Sequence, residues 1–207
     1  MLWGAAAHSL PDIDFIASAW NDPAEDLLAH RGFTHSILFA GIAVYLLVQA
    51  HARLHPGMYP QRKKAYGFFA VLVFLHLLLD GFNVYGTGWF EPFSHRRVAF
   101  NWLFVADPFF SIGPGIALLF LIFLPRGHAW RLRASQIGLL GSILYLGYAG
   151  TNKFQIDRTV NREMARRDWS GSNYFTTPTP LNNWLWYTVV DRGSGTYVGH
   201  RSLYDQC

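Results

Sequence analysis

The sequence AYGFFAVLVFLHLLLD, residues 65–80, decides how the rest of the chain is interpreted. It is apolar on every side of a helix until His76 and Asp80, close to its end. A helix on the surface of a soluble protein keeps a polar face, whereas a helix that is apolar all round lies in a protein core or in lipid. We therefore expect a buried or membrane-embedded helix that carries two ionisable side chains near one end.

Three further apolar segments, roughly residues 32–50, 103–124 and 134–149, accompany residues 65–79, and none alternates as a strand would. A bilayer core of about 30 Å needs about 20 helical residues. Several segments are a little shorter, so a soluble bundle of buried helices is the alternative. The all-apolar run at residues 116–124 favours lipid. The sequence thus predicts an all-α polytopic membrane bundle of about four spans.

The composition adds a polar part outside the membrane. The 207 residues are 51% hydrophobic and 14% charged, yet the mean hydropathy is only +0.14. We assign residues 1–150 to a membrane-embedded helical domain and residues 151–207 to a polar C-terminal module. In that module the pattern predicts a helix to about Asp168, a turn region that includes Pro178 and Pro180, and a β-hairpin with strands near 183–190 and 196–199.

Charge and cysteine content exclude other classes of protein. The net charge is +4, but the cations are scattered, and we expect no nucleic-acid partner. The single cysteine, Cys207, excludes an intrachain disulfide and a cysteine-rich zinc site, so a bound metal must use nitrogen and oxygen ligands. No secretory signal peptide is evident. Residues 4–7 read like the last turn of an apolar helix, so we expect a segment upstream of Met1.

The loop charges predict the orientation in the membrane. The connections at 53–64 and 125–133 carry several cations and no acid, which places them in the cytoplasm by the positive-inside rule. The acidic N-terminal stretch and the second connection would then face outward. Basic residues after the fourth segment argue partly against this arrangement, although long tails weigh less in the rule.

Histidine and aspartate residues gather where the segments begin and end. Alternating helix direction brings the starts of spans one and three and the end of span two to one membrane face. The i, i+4 spacing of His76 and Asp80 places both on one helix face. Imidazole and carboxylate ligands suit Zn²⁺, and also Mn²⁺ or Fe²⁺. The predicted metal ligands are His30, His35, His76, Asp80 and Asp107.

Other polar residues on the same face would complete a catalytic site. Asp12 and Asp14 are candidate ligands or proton acceptors, and Arg31, Arg96 and Arg97 are candidates for holding an anionic substrate group. Taken singly, each residue has a structural alternative, such as helix packing, a turn, a cap or an interfacial anchor. Ionisable groups in or beside a span cost several kcal/mol unless they are paired or coordinated, so together they favour a functional site.

These residues resemble the YdjM-like inner-membrane family of metal-dependent hydrolases. The matching pieces are residues 10–14 (LPDID), 30–36 (HRGFTHS), His76 with Asp80, 92–94 (PFS) followed by Arg96, and Asp107-Pro108. The resemblance implies a bacterial inner-membrane protein. The His-x-x-x-Asp element is also similar to one in zinc-dependent phospholipase C and related nucleases, which implies phosphoester hydrolysis. Family members usually begin with a helix that carries a Thr-His pair, and none precedes Leu10 here.

The leading hypothesis is a membrane-bound hydrolase of a phosphoester or ester-linked lipid or envelope substrate, with the site on the outer side of the bacterial inner membrane. Its partners would be the lipid bilayer and a small-molecule or lipid substrate, and its cofactor a divalent metal, Zn²⁺ first. One alternative is a non-catalytic membrane protein in which the His/Asp layer binds metal or packs helices, while Trp184 and Trp186 dock a partner. Another is a cation transporter. The oligomeric state stays open.

Overall fold

The computed structural model describes residues 2–19, 31–193 and 195–205. The chain forms two compact units, residues 1–100 and 101–207. It is mostly helical, with a small antiparallel sheet near its C-terminus. The predicted combination of a helical bundle with a small C-terminal module that contains both helix and strand is thereby confirmed at the level of fold class.

The first unit is built on two long helices. Helix α1 (Leu2–Ser9) leads into a 3₁₀ helix (Pro11–Ala19), and a 3₁₀ turn (Phe33–His35) precedes helix α2 (Ile37–Leu54). A further 3₁₀ helix (Pro56–Gln61) joins α2 to helix α3 (Arg62–Gly81). Because the connection is short and the two helices pack together, they run in opposite directions. The start of α2 therefore lies beside the end of α3.

Local hydrogen bonds fix where α2 begins. The Ser36 hydroxyl accepts a hydrogen bond from the Phe39 amide at 3.0 Å, the usual contact of an N-cap serine. The Ile37 amide donates to the Trp89 carbonyl, also at 3.0 Å. These contacts hold His35, one residue before the cap, at a defined place. The buried apolar cluster of this unit is formed by Ala7, Val48 and Phe69, farther along the same helices.

Helices α2 and α3, of 18 and 20 residues, are long and apolar enough to cross a membrane. Their outward faces expose large apolar side chains, among them Ile42, Leu46, Val71 and Phe74. Contiguous exposed apolar surface of this kind is rare on soluble monomers and is normal against lipid. Two of the four predicted spans are therefore supported by helix length and composition.

The second unit begins with a helical hairpin. Helix α4 (Pro108–Phe123) packs on the first part of helix α5 (Ala129–Arg166). The helices approach closely where Gly113 meets Gly138, since a Cβ added to Gly138 would lie 2.6 Å from the Gly113 carbonyl oxygen. Helix α4 is apolar but has only 16 residues. Membrane crossing by α4 and α5 stays a prediction.

The C-terminal part packs a three-stranded sheet on the second half of α5. Strands β1 (Asn173–Pro178), β2 (Leu185–Asp191) and β3 (Thr196–Ser202) form an antiparallel sheet in the order β1-β2-β3. The β2–β3 pair is the predicted hairpin, and β1 is an additional strand. Residue 150, the predicted boundary between the two modules, lies inside α5.

The apolar core of this part consists of Ile156, Val160, Met164, Trp186 and Val190. Trp186 has no exposed surface. Its ring is therefore part of the core that covers the helix, and docking of a partner through the less buried Trp184 stays a prediction.

Candidate metal centre

Four ligand atoms converge in the first unit. They belong to Asp12, His35, His76 and Asp80, and all lie within 4.8 Å of one another. Asp12 comes from the 3₁₀ helix after α1, His35 from the turn before α2, and the other two from the last turns of α3. Four of the residues that the sequence singled out are thus brought together by three separate segments.

Five of the six distances between these atoms are nearly equal, and the sixth, between the two carboxylate oxygens, is at most 4.8 Å. The two Nε2 atoms of His35 and His76 are 3.3 Å apart. Asp12 Oδ1 lies 3.4 Å from each of them, and Asp80 Oδ2 lies 3.3 Å from the first and 3.2 Å from the second. Ligands at about 2.0 to 2.1 Å from a tetrahedral zinc ion are about 3.3 to 3.4 Å apart. The residues present therefore fit a tetrahedral metal ion.

Hydrogen bonds alone do not explain why these four ligand atoms lie so close together. Asp80 Oδ2 is buried and has no hydrogen-bond partner. Each Nε2 atom carries at most one proton, yet it faces the other Nε2 and two carboxylate oxygens at similar distances. Buried acceptors that face one another are costly, and a cation at their centre removes that cost.

The far side of the His35 ring is held by a carboxylate. His35 Nδ1 lies 3.3 Å from Asp14 Oδ2, which also accepts hydrogen bonds from the Arg31 amide and the Thr34 hydroxyl, both at 2.8 Å. Metal-binding histidines nearly always have such a partner on the second ring nitrogen, which fixes the tautomer and the ring orientation. Asp14 therefore orients His35 toward the ligand cluster.

The same contacts shift two pKa values outside the long helices. Burial would raise the pKa of Asp14, but hydrogen bonds from His35, the Arg31 amide and Thr34 lower it to about 2. Burial would lower the pKa of His35, but the neighbouring carboxylates of Asp14 and Asp80 raise it to about 9. In the metal-free protein, His35 is therefore a cation at neutral pH, and its positive charge stands beside the position that a metal ion would take.

Arg31 holds the other oxygen of Asp80. Its Nη2 atom lies 3.2 Å from Asp80 Oδ1, and its Nη1 atom donates a hydrogen bond of 2.7 Å to Asn83 Oδ1. The guanidinium also lies over the Tyr85 ring, 5.5 Å from its centroid. Arg31 was predicted to bind an anionic substrate, and here its guanidinium is directed to a neighbouring carboxylate.

The charges of this cluster match a divalent ion. The cluster and its immediate neighbours contain the carboxylates of Asp12, Asp14 and Asp80 and the guanidinium of Arg31, which together carry two negative charges when His35 is neutral. One divalent cation neutralises them. Neutrality matters here because three of the four ligand side chains are largely withdrawn from water.

The other described residues that were predicted for the site are not among the four cluster residues. Asp107 belongs to the second unit, where its Oδ1 caps α4 through the Phe109 and Phe110 amides and its Oδ2 accepts a hydrogen bond from Tyr145. Arg96 is exposed, and Arg97 Nη1 lies 3.5 Å from the Tyr85 carbonyl oxygen. His30 falls outside the described residues. The roles assigned to these residues stay predictions.

Three residues near the cluster were not singled out from the sequence. Thr34 and Asn83 hold Asp14 and Arg31 as described, and His8 packs its ring edge-to-face on His76 with centroids 5.0 Å apart. Thr34 and Asn83 lie within a few residues of predicted ligands, and this proximity in sequence could have indicated them. His8 likewise lies a few residues before Asp12, in the segment at the chain start.

Comparison with known proteins supports the membrane assignment. The sequence profile of the family described as YdjM inner membrane protein matches residues 1–156. The uncharacterized protein YfhP of Bacillus subtilis (strain 168) is 32% identical over a match that covers 62% of this chain and 42% of YfhP. The inner membrane protein YbcI of Escherichia coli (strain K12) is 31% identical over 48% of this chain and 57% of YbcI.

The chain thus spans about half the length of the curated relatives that it matches. No solved structure is significantly similar to it. The profile match contains all four cluster residues, whereas the whole three-stranded sheet lies beyond it.

Proposed function

Because the chain belongs to the YdjM inner membrane protein family, we propose that it is a multi-pass hydrolase of the bacterial inner membrane that depends on a divalent metal, Zn²⁺ first. Its substrate is a phosphoester or ester-linked lipid or envelope component. The observation that carries the proposal is the near-tetrahedral set of ligand atoms from Asp12, His35, His76 and Asp80.

Some residues of this site bind the metal, and others orient the ligands. His35, His76 and Asp80 hold the metal from the buried side, while Asp14 orients His35 and Arg31 orients Asp80. When bound, the metal lowers the pKa of a coordinated water and polarises the oxygen of an ester or phosphoryl group. The protein supplies fixed ligands and a partly buried wall around them.

Asp12 is the better candidate for accepting a proton. Its side chain is 48% exposed, so substrate and water reach it. Asp14 has its Oδ2 engaged with the Arg31 amide, the Thr34 hydroxyl and His35 Nδ1, and its pKa is lowered to about 2. A carboxylate held that firmly in its charged form is a poor proton acceptor near neutral pH.

The position of the site supports a lipid or envelope substrate. The cluster lies at the ends of α2 and α3 that are opposite the connection with Arg53, Arg62, Lys63 and Lys64. If that connection is cytoplasmic, as the positive-inside rule requires, the cluster lies at the outer boundary of the bilayer. The phosphate and ester groups of lipids lie at this depth, between water and the hydrocarbon core.

A second candidate function is a metal site without catalysis. Four protein ligands around one tetrahedral ion are typical of structural zinc sites, whereas catalytic sites keep an open position. The ligand set of this protein has four members. This observation favours a stabilising metal unless one of the four ligands is able to leave.

Metal analysis combined with hydrolysis assays tests the proposal. The protein is purified in detergent, its metal content is measured, and cleavage of a chromogenic phosphodiester and a chromogenic carboxyl ester is followed. We expect about one metal per chain and measurable cleavage of one substrate. Asp80→Asn should lose both, because it removes a buried negative charge from the ligand set.

Asp107→Asn is the matched control, since Asp107 was also a predicted ligand but serves in the second unit as a helix cap. This variant should keep metal and activity. A wild-type protein without metal after growth and purification with added Zn²⁺ would disprove the metal proposal. A protein with metal that cleaves neither substrate would favour the stabilising role, and loss of metal in Asp107→Asn would make Asp107 a ligand.

A further inference from the structure

We infer that Asp12 is an exchangeable ligand, and that an anionic oxygen of the substrate, from a phosphate or carboxylate group, takes its place at the metal centre. The inference rests on the proposed function, because it states how a substrate enters a site whose four positions are all filled by protein. It also narrows the substrate to a molecule that is already negatively charged at the reacting end.

The first argument is the difference in exposure among the four ligands. The side chains of His35, His76 and Asp80 are 0%, 9% and 18% exposed, whereas that of Asp12 is 48% exposed. The cluster therefore has one open side. A molecule that approaches from water meets the Asp12 carboxylate first.

The second argument is how firmly each ligand is held. His35 is fixed by Asp14, and Asp80 is fixed by Arg31 through its other oxygen. Among the described residues, no hydrogen bond holds Asp12, whose recorded contacts are those with the two imidazoles. It also lies on a 3₁₀ helix, whose hydrogen-bond geometry is weaker than that of the α-helix carrying His76 and Asp80. Asp12 is thus the ligand that moves at least cost.

The neighbouring Asp14 strengthens the contrast. It lies two residues along the same 3₁₀ helix, but it accepts hydrogen bonds from the Arg31 amide and the Thr34 hydroxyl. The segment is therefore anchored at Asp14 while the Asp12 side chain stays free to turn. The Asp14 carboxylate thus holds the 3₁₀ helix in place, whereas the Asp12 carboxylate is able to move.

The third argument is charge. The cluster with a divalent ion is neutral, so replacing the Asp12 carboxylate by a neutral ester oxygen would leave one positive charge partly buried. Replacement by a singly charged phosphate or carboxylate oxygen keeps the charge unchanged. One oxygen leaves the ion and another arrives, so no electron or proton is transferred in the exchange. The released Asp12 carboxylate turns out into water at the open side of the cluster, and a proton from the later hydrolysis reaches it there.

Cobalt substitution tests the exchange independently of activity. Full-length protein is loaded with Co²⁺ in detergent, and the visible spectrum reports the ligands and the coordination number. Asp12→Ala and the isosteric Asp12→Asn should keep Co²⁺ with affinity lowered by about tenfold to a hundredfold, the range seen when a supporting group is lost. Adding inorganic phosphate should then change the spectrum at concentrations at least tenfold lower than in the wild type.

Two matched variants complete the experiment. Asp80→Ala removes a buried ligand and should abolish Co²⁺ binding at concentrations that saturate Asp12→Ala. Asp14→Ala changes the same 3₁₀ helix without removing a ligand of the ion, so it should weaken Co²⁺ binding without lowering the phosphate concentration that is needed.

Loss of Co²⁺ by both Asp12 variants to the extent seen in Asp80→Ala would overturn the inference, because Asp12 would be a fixed ligand. A phosphate response in Asp12→Ala no stronger than in the wild type would overturn it as well. A wild-type protein that binds no Co²⁺ would instead overturn the proposed function on which the inference rests.

Discussion

Each unit of the molecule contains a cluster of buried polar side chains, and the two clusters are built on opposite rules. In the second unit, Asn152 Nδ2 donates to the carbonyl oxygen and to the Oδ1 of Asn183, at 3.2 and 2.9 Å. Asn183 Nδ2 donates in turn to the Trp102 carbonyl at 2.8 Å. Every one of these contacts pairs a donor with an acceptor, so this cluster needs no bound ion to satisfy its hydrogen bonds.

In the first unit, the ligand atoms outnumber the protons that they share. Asp12 Oδ1 and Asp80 Oδ2 point to the same two imidazole nitrogens, and Asp80 Oδ2 is buried without a hydrogen bond. Burial of polar groups is therefore not what marks a functional site in this protein. What distinguishes the candidate site is that its ligand atoms outnumber the protons available to them. A bound cation compensates for this excess of acceptors.

Asp80 and Asp107 show the same difference with one residue type. Asp80 lies in the last turn of an apolar helix and Asp107 directly precedes one, and both are largely buried. Asp107 has its two oxygens engaged with backbone amides and the Tyr145 hydroxyl, which makes it a structural cap. Asp80 has one oxygen on Arg31 and one directed into the ligand cluster.

The largest effect that separates the two units is expected from removing the metal. At free Zn²⁺ of about 1,000 times Kd, binding stabilises the folded state by about 4 kcal/mol. Hydrogen exchange should show this loss of protection at residues 31–37 and 76–83 when a chelator is added. The amides of β2 (Leu185–Asp191) should not respond, because their cluster needs no ion.

Asp80→Asn serves as the control for this prediction, since its exchange pattern should be the same with and without Zn²⁺. Equal protection of both units by Zn²⁺ would mean that the ion acts on the whole fold. In that case the contrast between the two clusters would not hold.

Local sequence patterns were sufficient to predict the positions of three of the four cluster residues. His76 and Asp80 share a helix face through their spacing, and His35 directly precedes the N-cap of α2. Helix direction then brought these three together, as predicted. The participation of Asp12 in the same cluster depends on the turn between α1 and α2, whose path no periodicity specifies.

Other features depended on contacts between distant residues. Asp107 has the same chemistry as Asp80, and only its hydrogen bonds to Tyr145 and the α4 amides reveal its structural role. Strand β1 (Asn173–Pro178) ends in proline and follows a Gly/Ser-rich turn, so its sequence indicated a loop. It forms a strand because it pairs with β2 at the sheet edge, where a proline is tolerated.

A smaller effect is expected from breaking the cluster of the second unit. Asn183→Ala removes the hydrogen bonds to Asn152 and to the Trp102 carbonyl in a fully buried place. Leaving buried polar groups unpaired costs about 1 to 3 kcal/mol. Chemical denaturation in detergent should show this decrease, and the Zn²⁺ affinity of the folded protein should stay the same.

Asn161→Ala is the matched control in the same unit. Its side chain donates to the Tyr174 hydroxyl at an exposed position, so the change should cost less than about 0.5 kcal/mol. A large loss of Zn²⁺ affinity in Asn183→Ala would show that the two clusters are coupled, which contradicts their separate roles.

The smallest effect concerns pH and sharpens the contrast further, because only the first cluster contains a group that must lose a proton to bind metal. Burial lowers the pKa of His35, but the carboxylates of Asp14 and Asp80 beside its ring raise it from its ordinary value of 6.5 to about 9. Below about pH 9, metal binding must therefore release one proton from His35. Zn²⁺ affinity should rise about tenfold per pH unit, or about 1.4 kcal/mol, between pH of about 6.5 and 8 and level off near 9.

Calorimetry in buffers of different ionisation enthalpy measures the released proton directly. The sign follows from the raised pKa: the proton stabilises the metal-free fold at low pH, and this stabilisation is lost as the pH rises through about 9. Asp14→Asn removes the first of the carboxylates that hold the proton, so the slope should become shallower over the same range. A pH-independent affinity in the wild type would mean that His35 is neutral before the metal arrives, and the cluster would then lack the internal cation that balances its carboxylates.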